Sequence, residues 1–460
     1  MAGFEIKALI LLGLALVSFG ANGASIGARR GLADAGVTVF DITKYGAKPD
    51  GKTESAQAII KAWNEACKSS AAAKLVVPTG SFAAGEIVIQ GPCTAPKPIT
   101  IEIQGTLLGR TDLSLYTTQT WISIEHVDGL IVTGGGTING QGEASWRMSG
   151  CKSGDSCDKT GGALLPDRMT TKTACIGLPF LSIVFMRANN SVMRGLNLVN
   201  SKGFHMKVVE STNVTVEDVH ITAPGDSPNT DGIHIGRASL VNVTNSVIGT
   251  GDDCISIGDG STDIGITNVT CGPGHGISIG SLGRREGETD VKGITVRNCT
   301  LSNTTNGARI KTFRESPKLQ VSSVLYEDIV MNDVANPIII DQNYNSKRKS
   351  GVMIRYPNYF LPMRSACTIK LLNSLPLFRA FGQGSNVKIT DVHFKNIRGT
   401  SVTPVAVALR CSDVAPCEGL ELADIDFTFS GKSANGAALS SACANAKADF
   451  KGKMNPSACA

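Results

Sequence analysis

Aromatic side chains make up only 5% of the 460 residues, and charged ones 18%. Set against 51 glycines, that scarcity disfavours a helical protein and suits a turn-rich β protein. No two of the 13 cysteines stand in CxxC spacing, which argues against a zinc site. No long Lys/Arg block and no interleaved aromatic run is present, which argues against nucleic acid. The net charge of +5 and pI near 8.5 are compatible with an acidic partner without demanding one. Beyond the first residues, no apolar run is long enough to cross a bilayer, so no membrane partner is expected. Nothing calls for a second chain either, and a monomer is expected.

Lys7 precedes the apolar run Ala8–Phe19, and Ala21-Asn22-Gly23 offers small residues for a peptidase. The run is short for a membrane span, so residues 1–23 read as a cleaved signal peptide and the protein as secreted. Cysteines suit that compartment, and an odd number leaves at least one unpaired within the chain. Cys254/Cys271, Cys411/Cys417, Cys67/Cys93 and Cys443/Cys459 are plausible bridges. Six Asn-x-Ser/Thr sites, at Asn189, Asn213, Asn242, Asn268, Asn298 and Asn303, are candidates for glycans.

One short phrase recurs through the middle of the chain. It stands as Asp231-Gly-Ile-His-Ile235, Asp253-Cys-Ile-Ser-Ile257 and His275-Gly-Ile-Ser-Ile279, then more loosely at Gly307–Lys311 and Pro337–Asp341. Alternation of apolar and polar residues marks a half-buried strand, and copies about 22 to 31 residues apart mark a solenoid. Ile233/Ile235, Ile255/Ile257, Ile277/Ile279, Ala308/Ile310 and Ile338/Ile340 form the inward rows; His234, Ser256, Ser278 and Arg309 stack outward. Coils in such a sheet lie roughly 4.8 Å apart. Asp231, Asp253 and His275 therefore share one place on three successive coils, with Asp252 adjacent and Arg309 and Lys311 one coil further on.

A second series supports the coil. Val214–Ile221, Val241–Ile248, Ile264–Val269, Ile294–Cys299, Val324–Ile329 and Val387–Val392 resemble one another, with Asn or Asp at the corners. Upstream, strand phrases follow a helix expected over Glu54–Cys67, capped by Thr53, with Ala56, Ile59, Ile60, Trp63 and Ala66 at helical spacing. One amphipathic helix before a run of strands reads as a plug on the open end of the solenoid. A polar loop spans Glu143–Thr173 and holds Cys151 and Cys157. The solenoid is expected to end near Phe429, followed by a loose tail clipped by Cys443/Cys459. The remainder, 24–460, reads as a single domain interrupted by an atypical insertion at 345–383, where the repeat vanishes.

Three readings fit the acidic register: corner chemistry, since Asp and Gly favour turns; a calcium site; and general acid/base cleavage of a sugar bond. Asn229-Thr-Asp231, Gly251-Asp-Asp253, Gly274-His-Gly276 and Arg309-Ile-Lys311, in that order and spacing, resemble the four signature motifs of the polygalacturonases, glycoside hydrolase family 28. Tyr344 falls where that family has a substrate-contacting tyrosine. In detail the motifs look most similar to the pollen exopolygalacturonases of plants.

The resemblance implies an all-β fold, a right-handed parallel β-helix, and hydrolysis of α-1,4-galacturonosyl bonds of polygalacturonate with inversion and no cofactor. Carried over, Asp252 is the general acid, Asp231 and Asp253 activate the water, and His275 tunes protonation. Arg309 and Lys311 bind the substrate's carboxylates, while Asn229 and Tyr344 orient the sugar. Crowding three acids is expected to keep one protonated. The segment 345–383 departs from the family, in which a cysteine-bearing loop follows the tyrosine; it reads as an inserted piece of the kind an unspliced intron leaves. An endo-acting enzyme, a calcium-dependent pectate lyase and a non-catalytic solenoid are the competing expectations.

Overall fold

The alternating phrases form strands, and each strand lies parallel to its copy in the next coil. Ile233–Gly236 pairs with Ile255–Ile257, then Ile277–Leu282, Asn306–Phe313 and Asn336–Tyr344 follow in turn. Register sets Ile233, Ile255, Ile277, Ala308 and Ile338 in one row. Ile235, Ile257, Ile279, Ile310 and Ile340 form another, and both rows are buried. Stacked branched side chains remove continuous apolar surface from water, which is how a solenoid with few aromatics builds a core.

This sheet has 11 strands, from Ile87–Gln90 to Ser440–Ala444, and a second sheet collects 21 others. A coil contributes one strand to the first sheet and a bent stretch to the second, as Ile233–Gly236 does before Ser239–Thr244 and Val247–Gly249. Every pairing among the described strands is parallel, so the fold is a parallel β-helix. The computed structural model describes residues 36–148, 180–344, 384–432 and 438–459. The expected signal segment 1–23, residues 149–173 of the polar loop with Cys151 and Cys157, and the expected insertion 345–383 with Cys367 lie outside the described residues.

Corners of the second sheet are made by Asp218, Asn245, Asn268, Asn298 and Asp328, whose φ lies between 50° and 57°. Asn and Asp tolerate this left-handed conformation better than other side-chain-bearing residues. They also bond along the axis: Asn268 Nδ2 donates to Asn245 Oδ1 at 2.7 Å.

The helix spans Ala56–Ala66 and buries Ile59, Ala62, Trp63 and Ala66 against the first coils. Trp63 Nε1 donates to the Gln90 carbonyl at 3.0 Å, fixing the helix across the solenoid's end. Its N-cap is Ser55, not Thr53, which belongs to the strand Asp50–Glu54. The first free N–H is satisfied instead by Glu54 Oε1, which accepts from Ala56 N at 2.9 Å.

Two further expectations change. Val387–Val392 does not stack on Val324–Ile329; Val392 pairs with Val324 and Phe394 with Tyr326, while Val387 pairs with Leu319. The long strand Val387–Ser401 contains two similar phrases, and the second one is in register. Nor does the solenoid stop near Phe429: Ser440–Ala444 and Ala446–Asn455 extend both sheets by one coil. As the last coil, it has only one covered side, so small and polar residues replace the alternation that marks inner coils. The four expected disulfides form, and Cys299 is buried and reduced. All six glycan-candidate asparagines are exposed. Among the described residues, no helix is long and apolar enough to cross a membrane.

Candidate active site

The 11-stranded sheet turns one row of polar side chains outward, and the site is built on it. Lys207, His234, Ser256, Ser278 and Arg309 follow one another in register. At the entrance to these strands the backbone carries the acids: Gly232 N donates to Asp253 O at 2.9 Å, so the Asp231 and Asp253 turns abut. His275 N donates to Asp252 O at 2.8 Å, bringing the next turn alongside.

The glycines flanking His275 have a steric reason. Gly276 has φ of 86°, and a Cβ there would lie 2.1 Å from the Asn306 carbonyl oxygen. The backbone of adjacent coils can approach this closely only without a side chain. The tight turn is what delivers the imidazole to its acid.

Asp252 is held from three sides. His275 Nδ1 lies 2.9 Å from Oδ1, which also accepts from Asp253 N at 2.9 Å, and Asn229 Nδ2 donates to Oδ2 at 3.2 Å. Asp253 is buried deeper, its side chain 1% exposed. It accepts from Arg309 Nη2 and Lys311 Nζ, each at 2.6 Å, and from Ser278 Oγ at 2.9 Å. Burial alone pulls the Arg309 guanidinium down, but the Asp253 carboxylate, with Tyr344 and Asp252, outweighs it and raises its affinity for the proton.

Two serines escaped the sequence reading as functional residues. Ser278 Oγ donates to Asp253 and accepts from Arg309 Nε at 2.9 Å. One coil earlier, Ser256 Oγ donates to Asp231 Oδ2 at 2.9 Å and pairs with His234 Nδ1 at 2.8 Å. A hydroxyl has a single proton to give. Each serine thus relays one nitrogen donor onto one aspartate, twice over on successive coils. The available signal was their shared row with Arg309. Beneath them, Tyr326 donates its hydroxyl to the Arg309 carbonyl at 3.3 Å from inside the core. His205, fully buried, holds the Thr230 and Asp231 carbonyls through Nδ1 at 3.2 and 3.3 Å.

Asn229, Asp252, Asp253, His275, Arg309 and Lys311 therefore share one bonded network, and Asp231, bonded to Ser256, adjoins it on the abutting turn. Tyr344 closes it, with Lys311 Nζ 5.3 Å from its ring centroid and Phe313 packed edge-on at 5.4 Å. Arg309 and Lys311 are both largely buried, and each spends one nitrogen on Asp253.

Ligand atoms of Asp252, Asp253 and His275 lie within 4.8 Å of one another, close enough to consider a cation. The donor set does not fit one. Both oxygens of Asp253 already face a guanidinium and an ammonium, whose charges oppose a divalent ion there. Acid/base chemistry on a polar, anion-tolerant surface fits better.

The model of glycosyl hydrolases family 28 matches residues 67–355 and 379–452, which takes in every residue of this network. The chain belongs to that family. Between the two stretches, residues 356–378 are left unmatched. Among relatives of this family-28 chain, an exopolygalacturonase of Arabidopsis thaliana is 38% identical, covering 98% of this chain and 95% of the relative. Exopolygalacturonases of Zea mays (42% identical, 91% and 90% covered) and Oenothera organensis (41%, 88% and 98%) are similar. The fold is shared with a hyperthermoactive exopolygalacturonase from Thermotoga maritima, at TM-score 0.64 and 19% identity over 85% of this chain and 87% of that one. An endo-xylogalacturonan hydrolase from Aspergillus tubingensis shares it too, at TM-score 0.62 and 20% identity over 90% and 100%. This family-28 chain is a glycoside hydrolase.

Proposed function

We propose that this enzyme hydrolyses α-1,4-galacturonosyl bonds of polygalacturonate with inversion, releasing monomer from a chain end, outside the cell in the wall. The observation that carries the reading is the gathering of Asp231, Asp252 and Asp253 on adjoining turns, beside Arg309 and Lys311. Three relatives named exopolygalacturonase, at 38–42% identity, favour the exo mode. The apolar leading segment and the disulfides favour export.

Each role follows from what surrounds each carboxyl. Asp252, bonded to His275 and Asn229, gives its proton to the leaving oxygen. Asp231 and Asp253, oriented by Ser256 and Ser278, hold and deprotonate the attacking water from the opposite side. Inversion requires about 6.5–9.5 Å between acid and base carboxyl groups, a gap that one coil step plus a side-chain offset supplies. Arg309 and Lys311 anchor Asp253 and turn their remaining N–H groups to the substrate's carboxylates, and Asn229 and Tyr344 orient the sugar.

The test is sugar release from polygalacturonate by wild type and Asp252→Asn. Loss of a general acid is expected to cut kcat about 10²- to 10⁴-fold. Equal rates would overturn the assignment of Asp252. Galacturonate as the sole early product supports end-wise action, and a ladder of oligomers would refute it.

A further inference from the structure

The outward row has a cation at each end, and only one end is accounted for by the acids. Arg309 is tied to Asp253. At the other end stands Lys207, on the strand Met206–Val209, in register with His234. The next residue toward the N-terminus in this row is Val184, apolar and buried, so the polar floor ends at Lys207. The strand of Lys207 adjoins that of His234, whose turn carries Asp231, and lies two coils, roughly 10 Å, from the strand that follows Asp253.

Lys207 is partly buried and forms no hydrogen bond or ion pair among the described residues. Burial, and then the charges of Arg237 and Arg285, push its ammonium below the ordinary lysine value, with Asp259 and Glu210 opposing. Glu210 is engaged elsewhere, 2.7 Å from Arg187 and 3.5 Å from Arg237. An ammonium set in a half-covered floor, with Asp259 acting on it only at a distance and no carboxylate bonded to it among the described residues, gains from an anionic ligand that bonds it directly. His234 beside it points Nδ1 at Ser256 at 2.8 Å.

We propose that Lys207 is a specificity-determining residue that binds the carboxylate of the terminal galacturonate, the unit to be released. The inference rests on the polygalacturonate reading and adds the position at which the end of the chain is read. A sugar whose anomeric carbon lies among Asp231, Asp252 and Asp253 extends along the row over the next coil or two. The row turns apolar there, so the carboxylate that reaches Lys207 belongs to the last unit.

The experiment compares trigalacturonate with the same trimer methyl-esterified on its terminal unit, using wild type, Lys207→Gln and Lys207→Arg. Lys207→Gln is expected to raise KM for the free acid about tenfold or more, the worth of a charge-assisted hydrogen bond, with kcat changed far less. Its effect on KM for the ester, which offers the ammonium no charge, is expected to be much smaller, and Lys207→Arg is expected to restore the low KM for the free acid. A wild-type KM in Lys207→Gln, or equal losses on both trimers, would overturn the proposal. Inhibition of wild type by free galacturonate but not by its methyl ester is a second readout that needs no variant, and equal inhibition would refute it. A wild type that hydrolyses neither trimer nor polymer would defeat the proposed function itself, a result distinct from either.

Discussion

Single residues in this protein are defined by what they bond across coils. The eight residues marked by the motifs were legible because types and order alone single them out. Their partners were not. Alternation tells which face Ser256 and Ser278 occupy, but only register shows that one reaches Asp231 and the other Asp253. His205 was missed for the same reason, since nothing in its neighbourhood of sequence shows that it supports the carbonyls of Thr230 and Asp231. Complete burial pushes its imidazole down from 6.5 to about 4, with the backbone bonds opposing. Nε2 lies between the Ser201 N–H at 3.3 Å and the Thr222 carbonyl at 3.2 Å, so the bonds only partly offset the cost of burying a charge. The unfolded chain binds this proton below pH 6.5 while the folded chain refuses it until about pH 4. Stability is therefore constant above that window and falls as pH drops through it, by about 3 kcal/mol for this group. Denaturant midpoints between pH 7 and 4.5 should slope for the wild type. The slope should be shallower in His205→Gln, and parallel curves would count against this origin.

Elements obey the same rule: their existence was readable, their stacking less so. The phrase Val-x-Ile-x-Asp occurs at Val387 and a near copy begins at Val392, and composition cannot choose between them. The choice falls to register. Val392 and Phe394 continue the rows of Val324 and Tyr326, and Phe394 stacks on Tyr326 at 5.5 Å. Corners were easier, because Asn and Asp sit at each bend for a conformational reason. That reason makes a prediction at Asn268, where φ is 57° and the side chain bonds Asn245. Asn268→Val should destabilise by about 1–3 kcal/mol, since a β-branched residue resists the left-handed region. Asn268→Gly should lose only the side-chain bond, and the order of the two urea midpoints is the check. Equal losses would mean that the ladder bond, not the backbone, sets the cost.

At the scale of the whole molecule, a solenoid must protect the coil at each end, and the two ends do so differently. The C-terminal coil was hidden in the sequence because a last coil needs little apolar surface, and Ala448, Phe450 and Met454 are only partly covered. The N-terminal end buries a helix, legible from its 3.6-residue spacing alone. Trp63 is its largest fully buried residue, packed among the first coils and bonded to the Gln90 carbonyl. Trp63→Ala removes a large buried ring and leaves that carbonyl without its donor, which should cost about 3–5 kcal/mol. Because coils interact with their neighbours only, the damage should start at the exposed first coil rather than at the site. Hydrogen exchange in Trp63→Ala should accelerate first in Ala73–Val77 and Ile87–Gln90, with Ile255–Ile257 and Ile277–Leu282 still protected. Uniform acceleration along the chain would instead show that the solenoid opens as one cooperative body, with the helix serving as part of its core and not as a lid on it.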